Sequence, residues 1–281
     1  MRNGSIHDAA KFVTGRDTKP GDNGEATDVA PLRIVTYNIH KGIGGVDRRY
    51  QLPRIVETLE HCQGDVVLLQ EVDHDVPRSR HDRQVEVLGE ALELRHTAFQ
   101  ANVKLRRGHY GNAILSRFPL YDIRDIELTV PLKKRRRALV SHCRVPIGEH
   151  SRTVLLFNFH LGLAGYERTI QLRRFLDSDV LRHAHHDTPV IAGGDFNDVW
   201  GTLGRRLLEP QGFSTASIQT KTFPAFFPMR PLDRIYYRGA ITLDHSYASH
   251  TKVARQASDH LPLVADFLLP FAPSSPPGSD G

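Results

Sequence analysis

Cysteine is scarce in this chain of 281 residues: only Cys62 and Cys143 occur, which excludes a fold held together by several disulfide bonds. Such a composition is typical of a reducing compartment. Long apolar runs are also lacking, since no stretch approaches the roughly 20 residues of a membrane-spanning helix. The first residues lack the apolar segment of a secretory signal. We therefore expect a cytoplasmic protein, with peripheral binding at a membrane surface left open.

An excess of either sign of charge is lacking as well. The chain contains 37 Lys and Arg against 32 Asp and Glu, a formal net charge of +5. A mildly basic protein is compatible with a phosphate-bearing substrate or with an anionic surface, and the charge balance does not choose between them. No feature of the sequence indicates an oligomeric state.

Hydrophobic residues make up 40% of the chain and charged residues 25%, as is typical of a globular protein. Residues 1–30 are polar with little apolar periodicity, and residues 272–281 are rich in Pro, Ser and Gly. We expect both ends to be disordered. No linker interrupts the composition between them, so the sequence predicts one folded domain at residues 31–271.

Apolar periodicity predicts both helices and strands in that domain. Residues 52–62 carry apolar side chains at helical spacing, and further helices are expected at 85–94, 166–183 and 202–209. Two batches of strand-like runs, each accompanied by helices, favour two packed sheets with helices outside. These runs lie at 32–37, 65–69, 97–103, 112–116, 120–130, 138–145, 153–159, 190–192, 233–237, 241–248 and 262–268.

The stretch at residues 190–198 reads Val-Ile-Ala-Gly-Gly-Asp-Phe-Asn-Asp, a buried-strand pattern followed by two glycines and an acidic turn. Asp195 and Asn197 lie two positions apart, so both side chains point the same way if the extended backbone persists. A carboxylate and an amide in that arrangement suit a hard metal ion or a water molecule to be deprotonated. The alternative is an ordinary turn, because Gly, Asn and Asp dominate turns.

Other expected strands also end on polar side chains. Glu71 follows a Val-Val-Leu-Leu run directly, and a carboxylate at a buried strand end needs a partner, either a divalent cation or an arginine. An isolated residue of this kind is equally compatible with a cap, a turn or a structural ion pair. Six such strand ends are harder to explain as turns. They carry Asn38 with His40, Glu71, His160, Asp195 with Asn197, Asp233, and Asp259 with His260.

Seven short motifs in this order resemble the endonuclease/exonuclease/phosphatase (deoxyribonuclease-like) superfamily, and most of all its small bacterial members of unassigned substrate. The motifs span nearly all of residues 31–270. They are Thr-Tyr-Asn-Ile-His at 36–40, Leu-Gln-Glu-Val at 69–72, Gly-Asn-Ala-Ile-Leu-Ser-Arg at 111–117, Asn-Phe-His-Leu at 158–161, Gly-Asp-Phe-Asn at 194–197, Leu-Asp-Arg-Ile at 232–235 and Ser-Asp-His-Leu-Pro at 258–262.

The resemblance implies an α/β fold, a four-layer α/β/β/α sandwich of two packed mixed sheets with outer helices. It also implies hydrolysis of a phosphoester with a divalent metal, usually Mg²⁺, with Mn²⁺ as a second possibility. Glu71 matches the metal-binding glutamate of the family. Asn38 matches the asparagine that holds metal or phosphate beside it, and Asp259 matches the second acidic ligand of the metal.

The catalytic residues of the family match five further positions. Asp195 matches the aspartate that orients or deprotonates the attacking water, and Asn197 matches the amide that binds a phosphate oxygen. Asp233 matches the carboxylate paired with the final histidine, which is His260 here. His160 matches the histidine of the deoxyribonuclease-like branch.

Two positions depart from the family pattern. His40 stands where abasic-site endonucleases carry an aspartate, so the shell of metal ligands there differs. A tyrosine of those enzymes falls near His109 and Tyr110, with a register uncertain by one residue. Neither residue receives a role in proton transfer on this basis.

The expected function is that of a divalent-metal-dependent phosphodiesterase, of nuclease or phospholipid type, acting by in-line attack of water. Arg137, at the start of a strand, is a candidate for binding the phosphate, whereas residues 133–136 form either a solvated loop or a contact for an anionic substrate. The apolar loop at residues 223–229 is a candidate for the apolar loop tip that a phospholipid-type phosphodiesterase would need. We favour the alternative that this loop packs over the core. A catalytically inactive scaffold is the alternative, and it is disfavoured because Glu71, Asp195, Asp233 and His260 are all present.

Overall fold

The computed structural model describes residues 29–217 and 220–271. The segments expected to be disordered therefore lie outside the described residues, except for Val29 and Ala30, which already belong to the first strand. In the described part of the chain, no helix is long and apolar enough to cross a bilayer.

Within the described residues, twelve strands form two sheets of six strands each. Both sheets are mixed, because β1–β2 and β7–β8 are parallel pairs and the other pairs are antiparallel. The first sheet has the spatial order β11 (Thr242–Ala248), β12 (Leu263–Pro270), β1 (Val29–Asn38), β2 (Val66–His74), β4 (His109–Ser116) and β3 (His96–Lys104). The second has the order β5 (Leu120–Glu127), β6 (Arg137–Ile147), β7 (His150–His160), β8 (Val190–Asp195), β10 (Asp233–Arg238) and β9 (Ser214–Thr215).

The helices lie outside the sheets: α1 (Leu52–Cys62), α2 (Gln84–Ala91), α3 (Gly165–Leu176), α4 (Asp179–Arg182) and α5 (Ala254–Ala257). Single 3₁₀ turns occur at His40–Gly42, Pro77–Ser79 and Glu209–Gln211, and a π-helical turn at Gly204–Leu208. The single helix expected at 166–183 was wrong, since Ser178 is extended and separates α3 from α4. Its hydroxyl donates instead to the carbonyl of Phe175 at 2.6 Å.

Three separate apolar cores define four layers. One lies between the sheets, one between the first sheet and α1 and α2, and one between the second sheet and α3 and α4. Alternation along β1 shows how one strand serves two cores: Leu32 and Ile34 face the other sheet, whereas Val35 and Tyr37 face α1. The predicted four-layer α/β/β/α sandwich is thus confirmed.

A buried asparagine ties the sheets together close to the strand ends. Asn158 of β7 donates to the carbonyls of Leu69 and Ala113 in the first sheet at 2.9 and 2.8 Å. Its own Oδ1 accepts a hydrogen bond from Gln70 Nε2 at 2.8 Å. These bonds align the edge of the second sheet with that of the first, because all four residues are buried.

Asn158→Ala is expected to lower the free energy of unfolding by roughly 3 kcal/mol, since three buried hydrogen bonds are lost at about 1 kcal/mol each. Urea unfolding followed by circular dichroism measures the change. The matched control is Gln256→Ala, which removes an amide from an exposed position and should change stability by no more than about 0.5 kcal/mol. Equal stability of the two variants would contradict a role of Asn158 in joining the sheets.

Candidate active site

Strand register brings polar side chains of the second sheet to one edge. Asp195, the last residue of β8, is in register with His160 on β7 and with Asp233 on β10. Neighbouring strands lie about 5 Å apart, so the three side chains share one small region. In the first sheet, Asn38 at the end of β1 is in register with Gln70 of β2. The two edges meet across the gap between the sheets.

The carboxylate of Asp195 lies at the centre of this arrangement and is almost fully buried. Its Oδ2 accepts a hydrogen bond from Asn38 Nδ2 at 3.1 Å, and its Oδ1 accepts one from the backbone N–H of Asn197 at 3.0 Å. Nε2 of His160 and Nε2 of His260 lie 3.7 and 3.8 Å from Oδ2. Burial raises the pKa of Asp195 above its ordinary value, although the two histidines act in the opposite direction.

The glycine before Asp195 allows this placement. Gly194 has a φ of +144°, and a Cβ atom there would lie 2.1 Å from the carbonyl oxygen of Phe159 on the neighbouring strand. The left-handed conformation and the close approach both exclude a side chain. The second glycine of the Gly-Gly pair is therefore required by the backbone that carries Asp195.

Gly194→Ala is expected to lower the free energy of unfolding by at least about 2 kcal/mol, because a strained backbone adds to an overpacked contact. Gly212→Ala is the matched control: φ is +79° there, but a Cβ atom would meet nothing within 4 Å. That variant carries only the conformational cost. Thermal unfolding compares the two variants, and a Gly194→Ala protein no less stable than Gly212→Ala would show that the contact with Phe159 is unimportant.

His260 and Asp233 form a buried pair that joins the two sheets. Nδ1 of His260 lies 2.8 Å from Oδ2 of Asp233, which also accepts a hydrogen bond from the hydroxyl of Thr222. Burial by itself would lower the pKa of His260, but the charges of Asp233 and Asp195 outweigh it and raise the pKa to about 10. The imidazole is therefore a cation at neutral pH, with its Nε2–H directed towards Asp195.

Glu71 lies on a β-bulge in the middle of β2, not at a strand end as the sequence indicated. Gln70 and Glu71 together oppose a single residue of β4, and Glu71 has a φ of +58°. The side-chain ammonium of Lys41 contacts its Oε2. Burial would raise the pKa of Glu71, but nearby positive charge lowers it to about 2. Near pH 2 His160 is protonated, and its charge and that of Lys41 contribute most to this lowering.

His160 lies between the two carboxylates. Its Nε2 is 3.9 Å from Oε1 of Glu71 and 3.7 Å from Oδ2 of Asp195. Burial, together with the charge of Arg136, lowers the pKa of His160 to about 4, although both carboxylates act in the opposite direction. A neutral imidazole can donate one hydrogen bond to an anionic oxygen, but it brings no positive charge of its own.

The two asparagines hold their neighbours as well as facing the cavity. Asn38 donates to Asp195 and accepts a hydrogen bond from the backbone N–H of His40 at 3.0 Å. One N–H and one lone pair of its side-chain amide remain available to a ligand. Asn197 has a φ of +50°, so the expected extended backbone does not continue past Asp195. Its Nδ2 donates one hydrogen bond to the carbonyl of Leu161 at 3.0 Å, and the second N–H of the same amide remains available to a ligand.

Carboxylate and amide oxygens of this kind fit a hard divalent cation. Mg²⁺ is usually bound through one or two carboxylates together with waters and substrate phosphates, so a complete cage of protein ligands is not needed. The Glu71 carboxylate already attracts the ammonium of Lys41, which shows that the position favours a cation. Asp259 faces His40 instead: its Oδ1 lies 3.9 Å from His40 Nδ1, which in turn lies 2.9 Å from the carbonyl oxygen of Ile43.

A second group of metal-ligand residues lies elsewhere on the surface. His185, His186 and Asp187 each offer one ligand atom, and these three atoms all lie within 4.8 Å of one another. All three are exposed, and they lie between α4 and the start of β8, at the opposite end of that strand from Asp195.

A cavity of about 1030 Å³ opens above Asp195 and His260. Arg137, which the sequence placed near the phosphate, is turned away from it: the guanidinium contacts Asp125 and the carbonyl of Ala101. The preceding residue, Arg136, lines the cavity in its place. Adjacent residues of an extended chain point in opposite directions, so this difference of one position decides which arginine can reach a substrate.

Several cavity residues escaped the sequence analysis. Lys41 lies in the Gly-rich loop after β1, and Arg78 is held by two hydrogen bonds to Asp73 with its guanidinium over the ring of Tyr110. Of the two neighbours His109 and Tyr110, Tyr110 lines the cavity. Arg230, in the loop that follows residue 223, also lines the cavity. The local signal at each position was a single basic or aromatic residue, which is too common to single out.

Residues 35–260 match the model of the Endonuclease/Exonuclease/phosphatase family. The chain is 30% identical over 261 residues to the uncharacterized protein YbhP of Escherichia coli (strain K12), a match that covers 87% of this chain and 99% of YbhP.

Solved structures show the same fold. An endonuclease/exonuclease/phosphatase of Beutenbergia cavernae superposes with a TM-score of 0.73 at 25% identity, over 85% of this chain and 72% of that one. A mannosyl-6-phosphatase of Bacteroides thetaiotaomicron superposes with a TM-score of 0.64 at 17% identity, over 84% of this chain and 99% of that one.

Proposed function

Since the chain belongs to the endonuclease/exonuclease/phosphatase family, as the motifs indicated, we propose that it hydrolyses a phosphodiester bond by in-line attack of water. Members of this family are generally metal-dependent hydrolases of phosphoesters. One observation carries the proposal: the buried carboxylate of Asp195 lies within 3.8 Å of the imidazoles of both His160 and His260. A proton acceptor and a proton donor therefore face the same point of the cavity.

Asp195 is the proposed general base. Its raised pKa makes the carboxylate a stronger acceptor than an exposed aspartate, and it is held in one orientation from both sides by Asn38 and the backbone of Asn197. An oriented carboxylate can take the proton of a water molecule as that water approaches phosphorus. The incoming oxygen and the departing oxygen then lie on opposite sides of the phosphorus atom.

His260 is the proposed stabiliser of the negative charge that develops on the phosphate oxygens. It is protonated at neutral pH because Asp233 holds its other ring nitrogen, so its Nε2–H is a charged donor. A fixed charged donor in a buried site stabilises the transition state more than the ground state. The second N–H of Asn197 and the neutral His160 are further proposed donors to these oxygens.

The residues present fit a divalent cation, whose proposed ligands are the carboxylate of Glu71 and the remaining lone pair of the Asn38 amide oxygen. Such an ion, when bound, neutralises charge on a phosphate oxygen or on the leaving group. Asp259, whose carboxylate faces His40, is proposed to add negative charge near that position. Glu71 is ionised at neutral pH, so its carboxylate is ready to bind a cation without losing a proton.

A panel of phosphoesters tests this proposal. The chain would be incubated with Mg²⁺ or Mn²⁺ and plasmid DNA, abasic DNA, RNA, cardiolipin, sphingomyelin, inositol phosphates and mannose 6-phosphate, the last because one structural neighbour is a mannosyl-6-phosphatase. We expect cleavage of at least one diester, its loss in EDTA and its return on addition of the metal. If every diester stays intact with both metals, or if EDTA has no effect, the proposed function is wrong.

A further inference from the structure

Large apolar side chains are exposed beside the cavity on the loop at residues 223–230. Phe223 and Arg230 pair across the base of this loop, with backbone hydrogen bonds of 3.0 and 2.7 Å, and both line the cavity. At the tip, Phe226 is 68% exposed and Phe227 66% exposed, and Met229 follows at 54%. The expectation that this loop packs over the core was therefore wrong for its tip.

The loop is held firmly although its tip is exposed. Ala225 is buried in a small cluster with Ala248, Ala254 and Leu261, and its backbone N–H donates to the carbonyl of Asp259 at 2.7 Å. The anchored Ala225 immediately precedes the two exposed phenylalanines, so their projection into solvent is built into the fold.

Two further exposed leucines come from other loops beside the same cavity. Leu163 lines the cavity and is 78% exposed, and Leu132 is fully exposed next to Lys133, which also lines the cavity. The ammonium of Lys133 lies 5.4 Å from the centre of the ring of Tyr166 at the start of α3, three residues after Leu163, so the segment of Lys133 lies close to the one that carries Leu163. We call residues 132–135, Leu163 and residues 226–229 the rim.

The rim is basic as well as apolar. Lys133, Lys134 and Arg135 lie on it, and Lys104 lines the same cavity ahead of the Arg106–Arg107 pair. Single exposed apolar residues are normal on a protein surface, but several large ones around one cavity indicate a binding surface. Exposed Phe and Leu next to Lys and Arg are typical of segments that lie in the head-group region of a membrane and are attracted to anionic lipids.

We propose that the rim docks on an anionic lipid bilayer and so sets the cavity against the lipid head groups. The delivery of a head-group phosphodiester to Asp195 rests on the proposed function, whereas the docking does not. Charge complementarity favours any polyanion, but the aliphatic side chains favour lipid. Leu132, Leu163 and Met229 have no flat face on which a nucleic-acid base could stack, and they gain only by leaving water.

Binding of the full chain to vesicles tests the docking separately from catalysis, because the assay is carried out in EDTA. The vesicles contain phosphatidylcholine alone or a mixture with phosphatidylglycerol, and bound protein is measured by flotation at low and high salt. We expect binding to the anionic vesicles only, weakened by salt. Phe226→Ser/Phe227→Ser should weaken it about tenfold or more. Lys133→Glu/Lys134→Glu should weaken it about 25-fold or more, at about fivefold for each lysine lost.

Matched controls separate the rim from general surface effects. Arg205→Glu/Arg206→Glu makes the same change of net charge at two exposed arginines outside the cavity, and Ile123→Ser removes an exposed apolar side chain from β5. Both should bind anionic vesicles as the wild type does. Circular dichroism verifies that every variant is folded.

Three results would overturn the proposal. The first is no binding of the wild type to anionic vesicles, and the second is an equal loss of binding in the rim variants and their controls. The third is binding of a single-stranded oligonucleotide that depends on Phe226 and Phe227, together with no binding to vesicles. The last would assign the rim to nucleic acid. A protein that binds vesicles through the rim but cleaves no phosphoester would leave the docking intact and refute only the proposed function.

Discussion

Asp195→Asn is expected to lower the rate of phosphodiester hydrolysis by about 10²–10⁴-fold, the usual contribution of a general base. The substitution keeps the size and shape of the side chain but removes the negative charge that accepts the proton. It also replaces Oδ1 or Oδ2 by an NH₂ group, so either the hydrogen bond from Asn38 or the one from the Asn197 N–H loses its acceptor. Single-turnover kinetics on the best substrate of the panel would isolate the chemical step.

Asp198→Asn is the matched control, since it is the same change three residues further along. Asp198 Oδ2 accepts a hydrogen bond from the backbone N–H of Leu203 at 2.9 Å, so its role is to cap the segment that follows. We expect this variant to retain most of its activity and to lose some stability. An Asp195→Asn protein as active as Asp198→Asn would remove Asp195 from the mechanism.

His260→Gln is expected to lower the rate by about 10²–10³-fold, which is the typical effect of losing one fixed donor to a developing oxyanion. Glutamine can still donate a hydrogen bond but carries no charge, and it cannot bridge Asp233 and the substrate as an imidazole does. The loss should appear in kcat more than in KM, because the charge being stabilised grows only in the transition state. A loss confined to KM would indicate a role in binding the substrate alone.

Asp233→Asn tests why His260 is charged. The donor form of His260 is present below its pKa of about 10 and is lost as the pH rises through that value. Removing the charge of Asp233 lowers this pKa, so the alkaline fall in activity should move to lower pH in the variant. At pH 6 the two proteins should therefore differ less than at pH 9. An alkaline fall at the same pH in both proteins would show that Asp233 does not set the charge of His260.

Apolar periodicity was enough to locate most of the secondary structure. The helix expected at residues 52–62 has those bounds, because its apolar residues recur at helical spacing and face the first sheet. The failures were short or interrupted elements. The break at Ser178 and the brief elements β9 and α5 carry too few residues for a periodic pattern to emerge.

Side chains of the candidate site were recognisable when they belonged to a strand-end motif and not when they came from a loop. Asn38, His160, Asp195 and Asp233 were found from their positions beside apolar runs. Lys41 is the clearest omission, since it contacts Glu71 across 30 positions of the chain. A lysine in a Gly-rich loop has no local pattern that reveals its partner.

The sequence by itself indicated the family, the four layers and most of the polar residues at the strand ends, because these depend on local periodicity and on short motifs. Only the tertiary structure decided which of two neighbours faces the cavity, Arg136 or Arg137 and Tyr110 or His109, since one position of register turns a side chain to the other face. The tertiary structure also decided the charge states of Asp195 and His260. Asp195 is held by Asn38 from 157 positions away, and His260 by Asp233 from 27 positions away, and burial makes those contacts strong.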